Sequence, residues 1–199
     1  MNVRRLLAIL ALAALTACAG QAPPPDAFHR LRPAASARLP APLLPGVVEV
    51  ERLATDGVLA ERAITLQPGE DGALIHYNYD YWSEPPGVLV QERLAAHLAT
   101  TGAAGRVVTP DLRVLADWTV RGKLRRFEHR PATGDVAVDL QLAVISARDG
   151  SLLLLETYEA RPPAPSGNIE AVVTAMEKGV SDIFSRFVSD LARIRGDRP

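Results

Sequence analysis

The chain has 199 residues, with 22 basic and 23 acidic side chains, a net charge of −1 and one cysteine. That balance excludes a nucleic-acid protein held by bulk charge, which shows a basic excess or stripe. A single thiol excludes an internal disulfide framework. No solenoid-length period recurs, and no apolar run after the first seventeen residues reaches the roughly 20 needed to span a bilayer.

The amino end carries Arg4 and Arg5, then an apolar stretch from residue 6 to 15, then Thr16, Ala17 and Cys18. Basic head, apolar segment of about ten residues, small residues and cut site is the layout of a secretory signal. The run Leu15-Thr16-Ala17-Cys18 resembles a bacterial lipobox, with Leu15, Thr16 and Ala17 as the signal-processing positions and Cys18 as the lipidated residue. Two or three acyl chains give stable attachment where one does not, and a thioether at Cys18 leaves no thiol for a disulfide. Ala19 rather than aspartate follows the cysteine, which by analogy with enteric bacteria points to the outer membrane. Residues 1–17 are therefore read as a signal peptide whose removal leaves 182 residues, enough for one ordinary core.

Residues 18–45 read as a lipidated amino end and linker with Pro23, Pro24, Pro25, Pro33, Pro40, Pro42 and Pro45, leaning toward extended polyproline geometry. Within it, Phe28-His29-Arg30-Leu31 alternates enough for a short strand. Residues 46–195 read as one α+β domain and 196–199 as a disordered tail. Residues 47–53 and 62–66 read as strands separated by the Asp56-Gly57 turn signal. Residues 73–82 alternate Tyr77, Tyr79 and Tyr81 against His76, Asn78 and Asp80, which predicts three tyrosines on one strand face. Ser83 is placed to cap a helix that tolerates Pro85 and Pro86 in its first turn, carries Val90, Leu94 and Leu98 on one side and stops at Gly102.

From residue 112 to 124 the even positions Leu112, Val114, Ala116, Trp118, Val120 and Leu124 are apolar, predicting a long strand. A turn at 131–134 and a second alternating run ending at Val144 follow. Asp149-Gly150 signals a two-residue hairpin leading into residues 152–159. These three strands form an antiparallel meander with one dry face. Asn168 caps a helix of about six turns, apolar from Ile169 to Leu191 at helical spacing, with Gly179 allowing close approach to a strand. The expected architecture is a two-layer sandwich: a mainly antiparallel sheet with two helices packed on one face.

Chemistry is sparse. His29, His76, His97 and His129 are scattered with no zinc-ligand spacing, and no G-x-S-x-G, Ser-x-x-Lys or phosphate-cradling glycine pattern occurs. The chain is read as a non-enzyme with no cofactor and no metal. Two constellations remain. Tyr77, Tyr79, Tyr81 and Trp82 concentrate aromatics as a partner surface or lipid-contacting groove does, though a strand packed under a helix gives the same pattern. Arg121, Lys123 and Arg125, with Arg126, form a basic row suited to an acidic partner or a lipid headgroup, or a solvated face paired with acids such as Asp139.

With these segments placed, the chain resembles the ABC-type transport auxiliary lipoproteins, the paraquat-inducible protein C-like group, from about residue 28 to 194. The lipobox, Phe28-His29-Arg30-Leu31, Val47-Val48-Glu49-Val50, the stretch from Ile75 through Trp82-Ser83-Glu84-Pro85-Pro86, Ala116-Asp117-Trp118 and Gly122-Lys123-Leu124 carry the resemblance. It implies a membrane-anchored, periplasm-facing auxiliary component of an ABC/MCE-type system, binding and tethering for lipid or hydrophobic-solute transport. The implied partners are the membrane through the acyl chains, an MCE-domain protein and ABC transporter subunits; lipid and further copies of the chain stay open as partners, and no nucleic acid is expected. The alternative is a structural envelope lipoprotein or a periplasmic activator of a cell-wall synthase.

Overall fold

A computed structural model describes residues 23–32, 34, 37–69, 72–165 and 168–196. The signal-processing positions and Cys18 lie outside the described residues, as do residues 197–199. Among the described residues eight strands and two α-helices follow in order: β1 (Ala27–His29), β2 (Leu44–Val50), β3 (Ala63–Leu66), β4 (Ile75–Trp82), α1 (Pro86–Thr100), β5 (Ala104–Val108), β6 (Trp118–Arg130), β7 (Asp135–Ser146), β8 (Leu152–Ala160) and α2 (Ile169–Gly196). The expected α+β class holds.

All eight strands form one curled, mixed sheet. The order β1-β4-β3-β6-β2-β5 runs across it, and β7 pairs with both β6 and β8. The expected meander is present: β6–β7 and β7–β8 are long antiparallel ladders. The pairings β1–β4, β2–β5, β2–β6 and β3–β6 are parallel, which short-range alternation does not reveal. On its second edge β6 pairs with β2 near its start, Val48 opposite Trp118, and with β3 near its end, Leu66 opposite His129.

Both helices cover the dry face. The α2 helix lies on β7 and β8, capped by the Asn168 Oδ1, which accepts the Glu170 N–H at 2.9 Å. Its buried side carries Val172, Met176, Val180, Ile183, Phe184, Phe187 and Leu191, each large side chain contributing about 1.5–3 kcal/mol when fully buried. The α1 helix lies nearer β5, β2 and β6 and meets α2 where the His97 ring packs 5.3 Å from Phe184. Its start differs from expectation. Pro85 occupies the cap position and Pro86 opens the helix, so Ser83 lies upstream and caps nothing. Gly102 ends it as expected, with a left-handed φ of +67°.

Within the segment read as a linker, residues 27–32, 34 and 37–45 pack on the domain. β1 joins the sheet, Leu31 is buried, the Arg32 N–H donates to Glu177 Oε1 at 2.6 Å, and the Ala34 N–H donates to Ser181 Oγ at 2.8 Å. Farther on, the Leu39 N–H donates to the Thr101 carbonyl and β2 starts at Leu44. Prolines at 40, 42 and 45 mark an ordered strap, in which the Leu43 carbonyl accepts from Arg195 of α2 at 2.8 Å and Leu44 is fully buried.

The strand predicted from residue 112 begins only at Trp118. β5 ends level with Glu49 on one side of β2, and β6 begins level with Val48 on the other. The intervening chain must therefore cross β2. Asp117 secures the crossing: its N–H donates to the Val47 carbonyl and its carboxylate accepts the Val47 N–H, both at 2.8 Å. Leu112 and Leu115 are left 63% and 95% exposed instead of facing the core. The β7–β8 turn is also longer than two residues, with Ser146 bonded to Ser151 across residues 147–150.

Near its end β6 carries a bulge. Leu124 faces Leu140, yet Arg126 faces Asp139, so Arg125 is an extra residue. Before it, Val120 and Leu124 point into the core; after it, Phe127 and His129 do. Trp82 stacks on Phe127 with ring centres 5.2 Å apart.

Gly179 approaches Val138 as expected of a helix resting on a strand, and Gly122 is tighter still. A Cβ at Gly122 would stand 2.5 Å from the Gln141 carbonyl oxygen and 2.9 Å from Leu53. Gly122→Ala should cost about 1–3 kcal/mol by overpacking, lowering Tm by roughly 3–10 °C. Gly69→Ala, in open space, should leave Tm unchanged. Thermal unfolding of the two variants checks the difference.

Candidate partner-binding surface

The aromatic strand does not present three tyrosines to one side. Tyr79 adopts a left-handed backbone, φ +65°, which costs a non-glycine residue about 1–2 kcal/mol. The β3–β4 register shifts across this point. Tyr77 turns toward the core, where its hydroxyl meets His129 Nδ1 at 2.5 Å. Tyr79 is 38% exposed, and Tyr81 lies beside Phe28 at 5.8 Å, whose ring is covered by the Arg62 guanidinium. Trp82 is fully buried and is removed from the candidate contacts. A fixed alternation cannot anticipate this, because one left-handed residue reverses the facing of everything after it.

The basic row survives as a surface, with most of its charge paired. Arg121 donates to Glu51 at 2.8 Å and Lys123 pairs with Asp56. Such exposed pairs contribute at most about 1 kcal/mol each. The expected Asp139 partnership is taken by Arg161 instead. Arg125, on the bulge, is exposed and has no ion pair among the described residues.

Beyond Arg125 the strand lines a cleft of about 510 Å³ bounded by Gln67, Leu74, Arg125, Arg126, Arg130 and Thr133, with Glu128 in its wall. Arg126 donates to Glu128 at 2.7 Å and to Gln67 at 3.1 Å, while Arg130 forks onto Asp135 at 2.8 and 2.5 Å. Glu128 is buried, so Arg126 is also structural. Removing it would strand a carboxylate at a cost of about 3–5 kcal/mol. The sequence reading named Arg125 but missed the cleft; only the ladder offset at Leu124 brings these side chains together.

The exposed loop with Leu112, Val114 and Leu115 is the second feature sequence reasoning missed, since its alternation mimics a strand. A smaller cleft of about 350 Å³ lies between the strap and α2, lined by Phe28, His29, Arg32 and Glu177. Burial raises the Glu177 carboxyl above its ordinary value although it accepts the Arg32 N–H. His29 Nε2 sits 2.8 Å from Asp80, forming an ion pair when the imidazole is protonated. No group of three or more metal-ligating side chains occurs among the described residues.

The family model of the ABC-type transport auxiliary lipoprotein component matches residues 29–186, from within β1 to most of α2. The chain belongs to that family. It is thus an auxiliary lipoprotein of ABC-type transport and a component of the cell envelope; the family is not a known enzyme class. Its fold is similar to that of protein XCC0632 from Xanthomonas campestris, with a TM-score of 0.76 at 16% identity over 87% of this chain and 98% of that one. A solved structure of an uncharacterized protein gives 0.67 at 15% identity over 84% and 99%. The PelC dodecamer from Paraburkholderia phytofirmans, at 0.45 and 14% identity over 76% and 93%, is too distant to bear on how this family member assembles. No curated protein matches the chain.

Two buried imidazoles give the auxiliary domain a built-in acid response. Burial pushes His97 and His129 below the ordinary histidine value; at His129 the Ala164 backbone and the Asp135 charge pull partly back. Each has a buried Nε2 with no hydrogen bond of ordinary geometry. The unfolded chain takes up protons at these rings from about pH 6.5 and the folded chain only at lower pH, so stability falls as pH drops through that range. Tm should decline from pH 7.5 to 5.5, and His97→Leu should flatten that decline. An unaltered slope in the variant would assign the acid response elsewhere.

Proposed function

We propose that this lipoprotein is held by acyl chains on Cys18 in the outer membrane and faces the periplasm. There it serves an ABC/MCE-type system as a binding and tethering component for lipid or hydrophobic-solute transport. The observation that carries the reading is the family match from 29 to 186. It spans the folded body rather than a local motif, so the auxiliary role attaches to the domain. Leu15, Thr16 and Ala17 before Cys18 supply the processing signal. The domain acts by contact and not by turnover: its exposed chemistry is aromatic and cationic surface, with Tyr79, Tyr81, Arg121, Lys123 and Arg125 as partner contacts. The exposed loop of Leu112, Val114 and Leu115 extends that contact set, since contiguous exposed apolar side chains mark interaction sites. An MCE-domain protein and the transporter subunits are the partners, with further copies of the chain as a second class.

Crosslinking followed by purification from solubilised envelope tests this. The wild type should recover an MCE-domain protein with its permease and ATPase; recovery of a cell-wall synthase alone would overturn the reading. Leu115→Ser and Tyr79→Gly should each cut recovery roughly 5–30-fold, the effect of losing 1–2 kcal/mol at an interface. Tyr79→Gly should keep or raise Tm, because glycine accepts the left-handed backbone. Cys18→Ser should release the protein from the membrane fraction.

A further inference from the structure

The direction of β1 decides which end of the domain faces the anchoring membrane. β1 runs parallel to the last three residues of β4, with Ala27 opposite Asp80, so the direction of β1 points the chain before Ala27 toward the end where β4 begins. That is also the end where β3 and β6 finish, because Leu66 pairs with Ile75 on one side and His129 on the other. The arginine-lined cleft opens at this end. The loop of Leu112 and Leu115 lies at the opposite end, beyond about 40 Å of β6.

Because β1 is docked, only eight residues separate Cys18 from Ala27, a reach of at most about 30 Å. A proline-rich linker ending at residue 45 would have allowed far more. The cleft end thus stays within reach of the headgroup layer, where a short tether gives a weak site a high effective concentration.

We propose that the cleft bounded by Arg125, Arg126 and Arg130 binds the phosphate of an anionic phospholipid headgroup in the membrane that holds the acyl anchor. The inference rests on lipidation at Cys18. Guanidinium groups stay charged at any physiological pH and match phosphate oxygens with paired N–H donors. Arg126 and Arg130 are held in place by Glu128, Gln67 and Asp135, and Arg125 is left to meet the incoming charge. Leu74 lines the cleft and Ile75 follows it; they are 40% and 49% exposed, apolar surface suited to the headgroup–acyl boundary. Charge complementarity and continuity with the tethered end favour a lipid surface over a soluble anion or an acidic protein.

The test uses the full lipidated chain carrying Ala132→Cys, an exposed position in the cleft lining. With Cys18 consumed by lipid, a spin label reacts only at residue 132. The protein is placed in vesicles of phosphatidylcholine alone or with about a third phosphatidylglycerol, and the label's accessibility to lipid-soluble oxygen is compared with that to a water-soluble nickel chelate. The label should contact lipid in anionic vesicles, lose contact in 0.5 M salt, and lose it roughly fivefold or more on Arg125→Glu. Arg148→Glu, in the exposed turn at the far end, should have no effect. Protein that stays anchored through the salt wash with equal label exposure in both vesicles would overturn the cleft and spare the anchor. Protein that washes off both vesicles would overturn the anchor and the proposal with it. Should free phosphate at millimolar concentration displace the label's lipid contact as readily as salt of equal ionic strength and no more, the site reads surface charge alone and the cleft is overturned. Should Arg125→Glu spare lipid contact yet abolish recovery of an acidic protein, the cleft belongs to that protein.

Discussion

The structure depends on the two-sided pairing of β6. One edge carries β7 for nearly its whole length; the other is divided between β2 near the start and β3 near the end. A thirteen-residue strand held this way cannot slip register without breaking three ladders. The bulge at Arg125 reconciles its two halves. It adds local twist, turns Phe127 and His129 inward where even-numbered residues had faced the core, and leaves Arg125 and Arg126 adjacent at the sheet end. The buried Trp82–Phe127 stack and the arginine cleft are two results of one inserted residue.

The amino-terminal segment is built into both layers. Its strand, its buried Leu31 and its bonds to Glu177 and Ser181 tie it to both layers before it reaches β2. The family match begins within this segment, at residue 29, so the strap belongs to the shared domain. The exposed features divide between the two ends of the sheet: cationic cleft at the end where β6 finishes, apolar loop at the end where it begins.

The candidate surface was only partly legible from residues in order. Arg121, Lys123 and Arg125 alternate as an outward row should, and they do face outward, yet Glu51 and Asp56, the partners of Arg121 and Lys123, come from a segment about seventy residues away. Tyr77, Tyr79 and Tyr81 alternate just as well but diverge, because the left-handed turn at Tyr79 has no signature in a tyrosine. Leu112, Val114 and Leu115 copy the strand pattern while serving as a crossing over β2.

Local pattern determined the elements whose physics is local: the meander, the Asn168 cap, the Gly102 stop, the apolar stripe of α2 and the close approach at Gly179. Each follows from spacing, capping chemistry or the missing Cβ within a few residues. Tertiary structure alone decided the parallel pairings of β1, β2 and β3, the docking of the proline-rich strap, the start of β6 and the meeting of three arginines at one cleft. Those depend on which backbone edges find each other across the sheet, and hydrogen bonds between distant strands leave no periodicity in the sequence that makes them.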